Sequence, residues 1–270
     1  MGLKFMNSLT VFFKEFCSFS LVRRLAINDL KSRYAGSFLG VAWAIVQPMV
    51  TILVFWYVFQ VGFRSAPVKN VPFILWFASA YIPWCFFSDA LMSASNCLYE
   101  YHFLIKKIKF PVVVLPLVKI GSSMFVHIFF ISFLFFIFLI YGSDIKLIWL
   151  QSLYYSFSLT CLLISLSLIC SSLSVFFKDF GQIINIFLQI GFWLTPIFWS
   201  PEAMSNKILN TIKLNPLYYI TQGYRDSFIY DVPFYEHWEL TIYFWVLTII
   251  LFIIGVRVFQ KLRPHFADLL

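Results

Sequence analysis

Long apolar runs separated by short polar stretches make up most of the chain after residue 36. Each run is close to or longer than the roughly 20 residues that a helix needs to cross a bilayer core. The pattern therefore predicts an all-α integral membrane domain of six transmembrane helices within residues 37–262. The predicted spans are residues 37–63, 73–95, 110–141, 147–177, 181–199 and 240–259.

The segment between the fifth and sixth runs, residues 200–239, is too polar for a full span yet rich in aromatic residues. Three prolines, Pro201, Pro216 and Pro233, divide it, and proline interrupts the interior of a helix. We expect short outer helices that lie at the membrane interface or re-enter the membrane before the sixth span.

The chain before the first run, residues 1–36, combines an apolar stripe with a basic segment. Apolar residues at three- and four-residue steps beside charged ones predict an amphipathic helix in the membrane interface. The stripe consists of Leu9, Phe12, Phe13, Phe16 and Phe19. Residues 263–270, beyond the last run, are predicted to form a cytoplasmic tail.

Gly36 and Gly40 stand four residues apart at the start of the first run. Small residues at this spacing on a helix allow another helix to approach closely. Pro48 follows within the run and predicts a kink.

The composition agrees with a membrane protein, because 61% of residues are hydrophobic and only 12% are charged. A soluble domain carries about 25% charged residues. The net charge of +8 comes mainly from basic residues at the ends of the runs, and no basic-aromatic surface module indicates nucleic-acid binding.

The positions of Lys and Arg predict the orientation. With the N-terminus inside, the inner segments carry thirteen of these residues and the outer segments six. Basic residues are enriched in cytoplasmic loops, so both termini are expected on the cytoplasmic side.

Neither catalytic nor metal-binding residues stand out. The twelve acids and four histidines are scattered, the five cysteines show no CxxC spacing, and no GxxxxGK[ST] phosphate loop occurs. We expect no active site and no bound cofactor; His127 is interpreted as a hydrogen-bonded packing residue. If the protein pumps a substrate, ATP and magnesium must bind to a separate subunit.

Two charges fall inside predicted spans, Asp89 in the second and Lys119 in the third. A charge at a helix centre costs about 2.5–3.5 kcal/mol on insertion scales. The two residues are predicted to lie at similar depth on neighbouring helices. They either pair with each other or extend separately to the interface.

The string KSRYAGSFLGVAWAIVQP at the first span resembles the first membrane segment of the ABC-2 type permeases. The likeness is greatest to the branch that exports O-antigen, capsule or teichoic-acid chains. The residues that carry it are Arg23, Arg24, Asp29, Arg33, Tyr34, Ser37, Leu39, Gly40, Trp43 and Pro48.

The resemblance continues along the chain in the same order. Residues 96–111 are similar to the family's cytoplasmic loop, on which the ATPase subunit presses; the alternative is that its lysines only anchor the third span. Phe177-Lys178-Asp179 resembles a tight inner turn, with Lys in place of the usual Arg. Thr195-Pro196-Ile197, Asn215-Pro216 and Arg225 resemble the outer re-entrant region. The positions that match the ATPase contact are Glu100, Tyr101, His102, Phe103, Lys106 and Lys107.

This resemblance implies a homodimer that binds two copies of a separate ATPase and exports a lipid-linked polysaccharide. The implied location is the bacterial inner membrane. An ABC-2 drug exporter would share the fold. Alternatives from other classes are a membrane-bound enzyme of envelope glycan or lipid synthesis and an assembly protein.

Aromatic residues in the first, second and fifth spans are candidates for the substrate path. Aromatic faces stack on the apolar faces of sugar rings, and Trp and Tyr keep a hydrogen-bond donor. The alternative is the aromatic belt found at membrane interfaces. The path candidates are Trp43, Trp56, Tyr57, Trp84 and Trp193.

Overall fold

The computed structural model describes residues 19–63, 71–106, 110–201 and 204–270, and over these residues the chain is helical with no β-strand. The helices are α1 Phe19–Arg33, α2 Trp43–Trp56, α3 Phe73–Glu100, α4 His102–Ile105, α5 Val114–Ile140, α6 Gln151–Phe176, α7 Phe180–Leu194, α8 Asn206–Ile212, α9 Pro216–Arg225, α10 Trp238–Leu262 and α11 Phe266–Leu269. A 3₁₀ turn precedes α2, α6, α10 and α11, and π-helical turns extend α2 to Gly62 and α9 to Tyr230.

Five helical segments within the described residues are long and apolar enough to cross a membrane. The expected span at 181–199 corresponds to α7, which has only 15 residues. At about 1.5 Å per residue such a helix covers roughly 22 Å, less than the roughly 30 Å of a bilayer core. It ends early because Pro196 forces the preceding Thr195 out of the helical region, to φ −85° and ψ 134°. The five segments are Gly40–Gly62, Phe73–Glu100, Val114–Ile140, Leu147–Phe176 and Phe234–Leu269.

Helix α3 is the centre of the bundle. It packs against α5, α6, α7 and α9, and most of its side chains are buried. It continues to Glu100 rather than ending near residue 95, so the polar residues after the predicted second span remain helical. Helix α10 packs on α6, where the backbone of Gly255 approaches Ser165 so closely that a Cβ would lie 2.8 Å from its carbonyl oxygen.

The interpretation of Gly36 and Gly40 as a helix-packing motif is wrong. Both glycines lie before α2 in turns, with φ of +84° and +54°, and nothing lies within 4 Å of the position that a Cβ would occupy. Glycine is used here because it adopts positive φ without steric cost.

Helix α1 lies before the first span and packs against α5. Ala26 is buried against Gly121 of α5, where a Cβ would lie 3.2 Å from the Ala26 Cβ. Of the predicted amphipathic stripe only Phe19 belongs to the described residues, and its side chain is exposed.

The short helices expected between residues 200 and 239 are present as α8 and α9. Helix α9 begins with Pro216 at its first position, and the Asn215 side chain accepts a hydrogen bond from the Leu217 amide at 3.0 Å. The Asn215 amide also donates to Thr195 Oγ1 at 2.9 Å, which ties α9 to the chain that leaves α7.

Replacing Gly223 with alanine is expected to destabilise the fold by about 2–3 kcal/mol or more, as overpacking of a tight core does. A Cβ at this position of α9 would lie 2.1 Å from Cζ of Tyr155, inside the buried contact with α6. Thermal unfolding in detergent provides the measurement. Gly62→Ala is the control, because its Cβ would meet nothing closer than 3.7 Å; equal melting temperatures for the two variants would contradict the packing described here.

Candidate functional site

A cavity of about 650 Å³ lies between α2, α3, α5 and α7. Apolar side chains form most of its wall, but α2 and α7 each contribute two polar residues. Gln47 and Thr51 are four residues apart, as are Asn185 and Gln189, so each pair lies on one helical face. Amide and hydroxyl groups both donate and accept hydrogen bonds, so the cavity suits a ligand rich in hydroxyl groups.

Aromatic side chains line the same cavity. The Phe192 ring lies 5.7 Å from the Trp84 ring, 6.4 Å from Tyr81 and 5.9 Å from Trp193, between ring centroids. The combination of aromatic faces with nearby amides is the chemistry that a sugar chain requires.

Two of the five predicted path residues, Trp84 and Trp193, line this cavity. Trp43 and Tyr57 are exposed on the surface of the chain, and Trp56 packs partly buried against the core. Sequence reasoning from aromatic residues alone missed the four polar residues. Their signal was a four-residue spacing of Gln, Asn or Thr inside otherwise apolar helices.

A network of charged and hydroxyl groups, which we call the Asp29 cluster, lies at the end of the cavity next to α1. The Asp29 carboxylate is buried and accepts hydrogen bonds from Lys119 Nζ at 2.6 Å and Tyr101 Oη at 2.7 Å. It also accepts from Ser122 Oγ at 2.7 Å and Arg33 Nε at 2.9 Å. The members of the cluster are Asp29, Arg33, Asp89, Glu100, Tyr101, Lys119, Ser122 and Ser123.

The Asp29 cluster connects the cavity to the end of α3. Arg33 bonds Asp29 and also donates from Nη1 to Asp89 Oδ2 at 3.2 Å, and both Arg33 and Asp89 line the cavity. On the other side, Lys119 donates to Glu100, the last residue of α3. A displacement of the α3–α4 junction would therefore shift Arg33 and Asp89 in the cavity wall, because hydrogen bonds connect them to Glu100 through Lys119 and Asp29.

Direct pairing of Asp89 with Lys119 is wrong as a prediction. Lys119 bonds Asp29 and Glu100, whereas Asp89 is half-exposed and bonds Arg33 and Ser123. The two charges are neutralised within one cluster, but by partners from α1 and from the end of α3. The prediction compared only the depths of the second and third spans, so it did not consider these partners.

A family model describing the ABC-2 type transporter matches residues 20–229, well over half of the chain. The chain belongs to the ABC-2 type transporter family. Its apolar helices and this family together make it a multi-pass membrane protein of the transport-permease type, not itself an enzyme.

Three relatives match this ABC-2 chain almost from end to end. Two are O-antigen export system permease proteins RfbA of Klebsiella pneumoniae. They are 28% and 27% identical, over 260 and 256 residues, and each match covers 93% of this chain and 95% of the relative. The third is the protein of the same name from Myxococcus xanthus, 25% identical over 257 residues, which cover 92% of this chain and 93% of that protein.

The residues predicted to contact an ATPase fall into two groups in the structure. Glu100 and Tyr101 turn toward the Asp29 cluster, where they bond Lys119 and Asp29. His102, Phe103 and Lys106 are exposed on and after α4. Lys107 lies outside the described residues. The second group is thus accessible to a partner, while the first joins α4 to the membrane domain.

The motifs at Thr195-Pro196-Ile197, Asn215-Pro216 and Arg225, which resembled one region of the family, meet in space. Arg225 Nη2 donates to the Ile197 carbonyl at 2.9 Å, and Asn215 bonds Thr195, so residues 28 and 20 positions apart are joined.

No group of three His, Cys, Asp or Glu side chains able to hold a metal ion occurs within the described ranges.

The pKa of Asp29 lies below its usual value. Burial alone would raise this pKa, but the hydrogen bond from Lys119, the charge of Arg33 and the bonds from Ser122 and Tyr101 together favour the carboxylate more strongly. A lowered folded-state pKa means that the carboxylate stabilises the fold above about pH 4, and that this contribution is lost as the pH falls through the folded-state pKa.

The stability of the wild-type protein is therefore expected to fall toward that of Asp29→Asn as the pH drops from 6 to below about 4. Melting temperatures of both proteins across this range measure the difference. A gap that stays constant with pH would show that the Asp29 carboxylate does not titrate as described.

Proposed function

We propose that this chain is the permease subunit of an ABC exporter that moves a lipid-linked polysaccharide across the bacterial inner membrane. Transport runs from the cytoplasmic to the outer side and is powered by a separate ATPase subunit. The observation that carries the proposal is the end-to-end match to three proteins named as O-antigen export permeases.

The chemistry of the cavity supports a sugar substrate. Amide and hydroxyl side chains from α2 and α7 face the same space as Trp84, Phe192 and Trp193. Sugar hydroxyls bond the first group and sugar ring faces stack on the second. A drug exporter would be expected to present a more uniformly apolar wall.

The apolar surface supports a homodimer. Exposed apolar residues follow one side of α2, including Val50, Leu53 and Val54, and one side of α7, including Ile186 and Ile190. Both helices also border the cavity. A two-fold pair that covers these sides would join two cavities into a path between subunits. Closed two-fold symmetry is the commonest arrangement among soluble homo-oligomers.

We infer six crossings, with both termini on the cytoplasmic side. The crossing to be added to the five long segments is α7, the fifth in chain order, whose short length is compatible with a crossing if a partner subunit, rather than lipid, surrounds its ends. The distribution of Lys and Arg supports this orientation. It places α4 on the cytoplasmic side, where His102, Phe103 and Lys106 are free to contact the ATPase, and places α8 and α9 on the outer side.

The proposal is tested by purifying the tagged chain from native membranes and by measuring surface polysaccharide in a strain that lacks its gene. We expect an ATP-binding subunit to co-purify, and lipid-linked polysaccharide to accumulate inside the mutant cells. Phe103→Asp should remove the ATPase from the purified complex. Leu214→Asp is the control, because Leu214 is exposed between α8 and α9, which the proposed orientation puts on the side away from the ATPase. Unchanged surface polysaccharide in the deletion strain would refute the proposed function.

A further inference from the structure

His127, in the middle of α5, lies between the large cavity and the place where α6 meets α9. Its ring lines the cavity, yet the residue is only 2% exposed. On the side away from the cavity, Nε2 lies 2.9 Å from Tyr224 Oη and 3.3 Å from Ser156 Oγ. Phe86 stacks on one face of the ring, with the centroids 4.5 Å apart. His127 is thus packed on one face and hydrogen bonded at one of its two nitrogens.

The short contacts around Ser156 determine which nitrogen of His127 carries the proton. Ser156 Oγ donates to the Ser152 carbonyl at 2.7 Å and lies 2.6 Å from Tyr224 Oη. With the 2.9 Å contact of Nε2 there are three short contacts, and each needs a proton between its two atoms. The two hydroxyl groups supply two protons, so Nε2 supplies the third. The donors therefore run from Nε2 to Tyr224, from Tyr224 to Ser156 and from Ser156 to the carbonyl.

The other nitrogen, Nδ1, is left as an acceptor without a donor. In a neutral imidazole one nitrogen donates and the other accepts. Among the described residues, Nδ1 is buried without a hydrogen-bond partner, and no ion pair includes His127. A ring protonated on both nitrogens would be a buried cation without a counter-charge, which is costly. An unpaired buried acceptor is also costly, so a donor that reaches Nδ1 would be bound favourably.

Nδ1 is directed to the cavity side of α5. The two ring nitrogens direct their hydrogen bonds away from each other, and Nε2 points to Tyr224 and Ser156, which are not among the described residues of the cavity wall. Helical side chains lean toward the N-terminus, so the His127 ring lies over the turn that carries Ser123. Ser123 lines the cavity and donates its proton to Asp89, which also lines it. These three wall residues therefore offer acceptors to the cavity.

We propose that His127 Nδ1 accepts a hydrogen bond from a hydroxyl group of the transported sugar chain, and that this wall selects hydroxyl groups over anionic groups. The inference rests on the proposed function and names a specificity-determining residue for it. A sugar hydroxyl supplies the donor that Nδ1 lacks, whereas a phosphate or carboxylate oxygen would face a lone pair and the Asp89 carboxylate. A site with a buried polar group rejects ligands that leave this group unpaired.

The probes are octyl β-D-glucoside and its tetra-O-methyl derivative, which share the ring and the tail, but only the first has hydroxyl donors. Each is titrated below its micelle-forming concentration into the full-length chain in lipid nanodiscs, and tryptophan fluorescence gives the apparent Kd. His127→Gln keeps an amide donor near the position of Nε2 but removes the acceptor at Nδ1. It should raise the Kd for the glucoside about three- to tenfold, as loss of one neutral hydrogen bond does. The Kd for the methylated probe should differ by less than about twofold between the two proteins.

Two further variants separate binding from folding. His127→Asn places an acceptor near the position of Nδ1 but is too short to reach Tyr224. It should lower the melting temperature while keeping the Kd for the glucoside within about twofold of the wild-type value. His265→Gln is the control, because His265 is exposed and is not among the described wall residues, and neither value should change.

Nitrogen NMR of histidine-labelled protein tests the proton assignment without a change at His127. Replacement of His102, His237 and His265 by glutamine leaves His127 as the only labelled residue. Its spectrum should show the proton on Nε2, and the glucoside, but not the methylated probe, should shift the Nδ1 signal.

A proton on Nδ1 in the free protein would overturn the proposal, and so would a His127→Gln variant that binds the glucoside like the wild type. An Nδ1 signal that the glucoside leaves unchanged would assign the acceptor to water and would also overturn it. None of these results depends on the deletion strain, whose surface polysaccharide tests the proposed function separately.

Discussion

Lys119→Met is expected to lower the stability of the folded protein by about 3 kcal/mol, at the low end of what breaking a buried ion pair costs. Lys119 and Asp29 are each only 2% exposed, and their charged atoms lie 2.6 Å apart. Removal of the lysine leaves the Asp29 carboxylate buried with Arg33 as its remaining cation. Asp29→Asn should cost a similar amount, because Lys119 then keeps only Glu100.

The double variant Asp29→Asn/Lys119→Met should recover much of this loss, since removal of both charges costs less than leaving one unpaired. Asp89→Asn is the matched control. It removes a carboxylate of the same cluster whose side chain is 51% exposed, so its effect should stay within about 1 kcal/mol. Thermal unfolding of the four proteins in the same detergent gives the comparison. A double variant as unstable as the sum of the single variants would show that Lys119 and Asp29 do not stabilise each other.

Trp193→Leu is expected to slow polysaccharide export by roughly two- to tenfold while leaving the amount of folded protein unchanged. The indole lines the large cavity and is 63% exposed, so its loss costs little packing. A stacked aromatic contact contributes about 0.5–1.5 kcal/mol beyond area burial, and this range corresponds to the expected change in rate.

Trp238→Leu is the control for this substitution, because Trp238 is also exposed, at 59%, but does not line the cavity. Surface polysaccharide after a timed pulse of synthesis measures export, and membrane immunoblots measure the amount of protein. Equal rates for the two variants would remove Trp193 from the path.

The spans could be predicted from the sequence because they depend on the length of each apolar run and on its lack of charge. These two properties do not depend on which other helices the run packs against. The run at 147–177, for example, matches the helical segment Leu147–Phe176 closely. The fifth run was predicted too long because hydropathy does not register that Pro196 fixes the backbone of Thr195. The helix-packing role predicted for Gly36 and Gly40 was wrong for the same reason. Both glycines adopt positive φ in turns, and the pattern of apolar residues carries no information about φ.

The candidate site was only partly accessible from the sequence. Aromatic residues identified Trp84 and Trp193, but Gln47 and Asn185 gain their significance from the approach of α2 and α7. The partners of Lys119 could not be found by comparing neighbouring helices in sequence, because Asp29 enters the cluster from α1, which packs on α5. Contacts between elements distant along the chain are set by packing, and one sequence does not encode them in any short pattern.

Transport by the purified complex tests the central claim most directly. The chain and its co-purified ATPase are reconstituted in liposomes with a fluorescently labelled lipid-linked polysaccharide in the leaflet that carries the ATPase. Translocation is followed by access of a quencher to the opposite leaflet. The account predicts transfer that requires ATP hydrolysis and is slowed by Trp193→Leu but not by Trp238→Leu. Transfer that is independent of ATP, or no transfer by a complex that hydrolyses ATP, would contradict it.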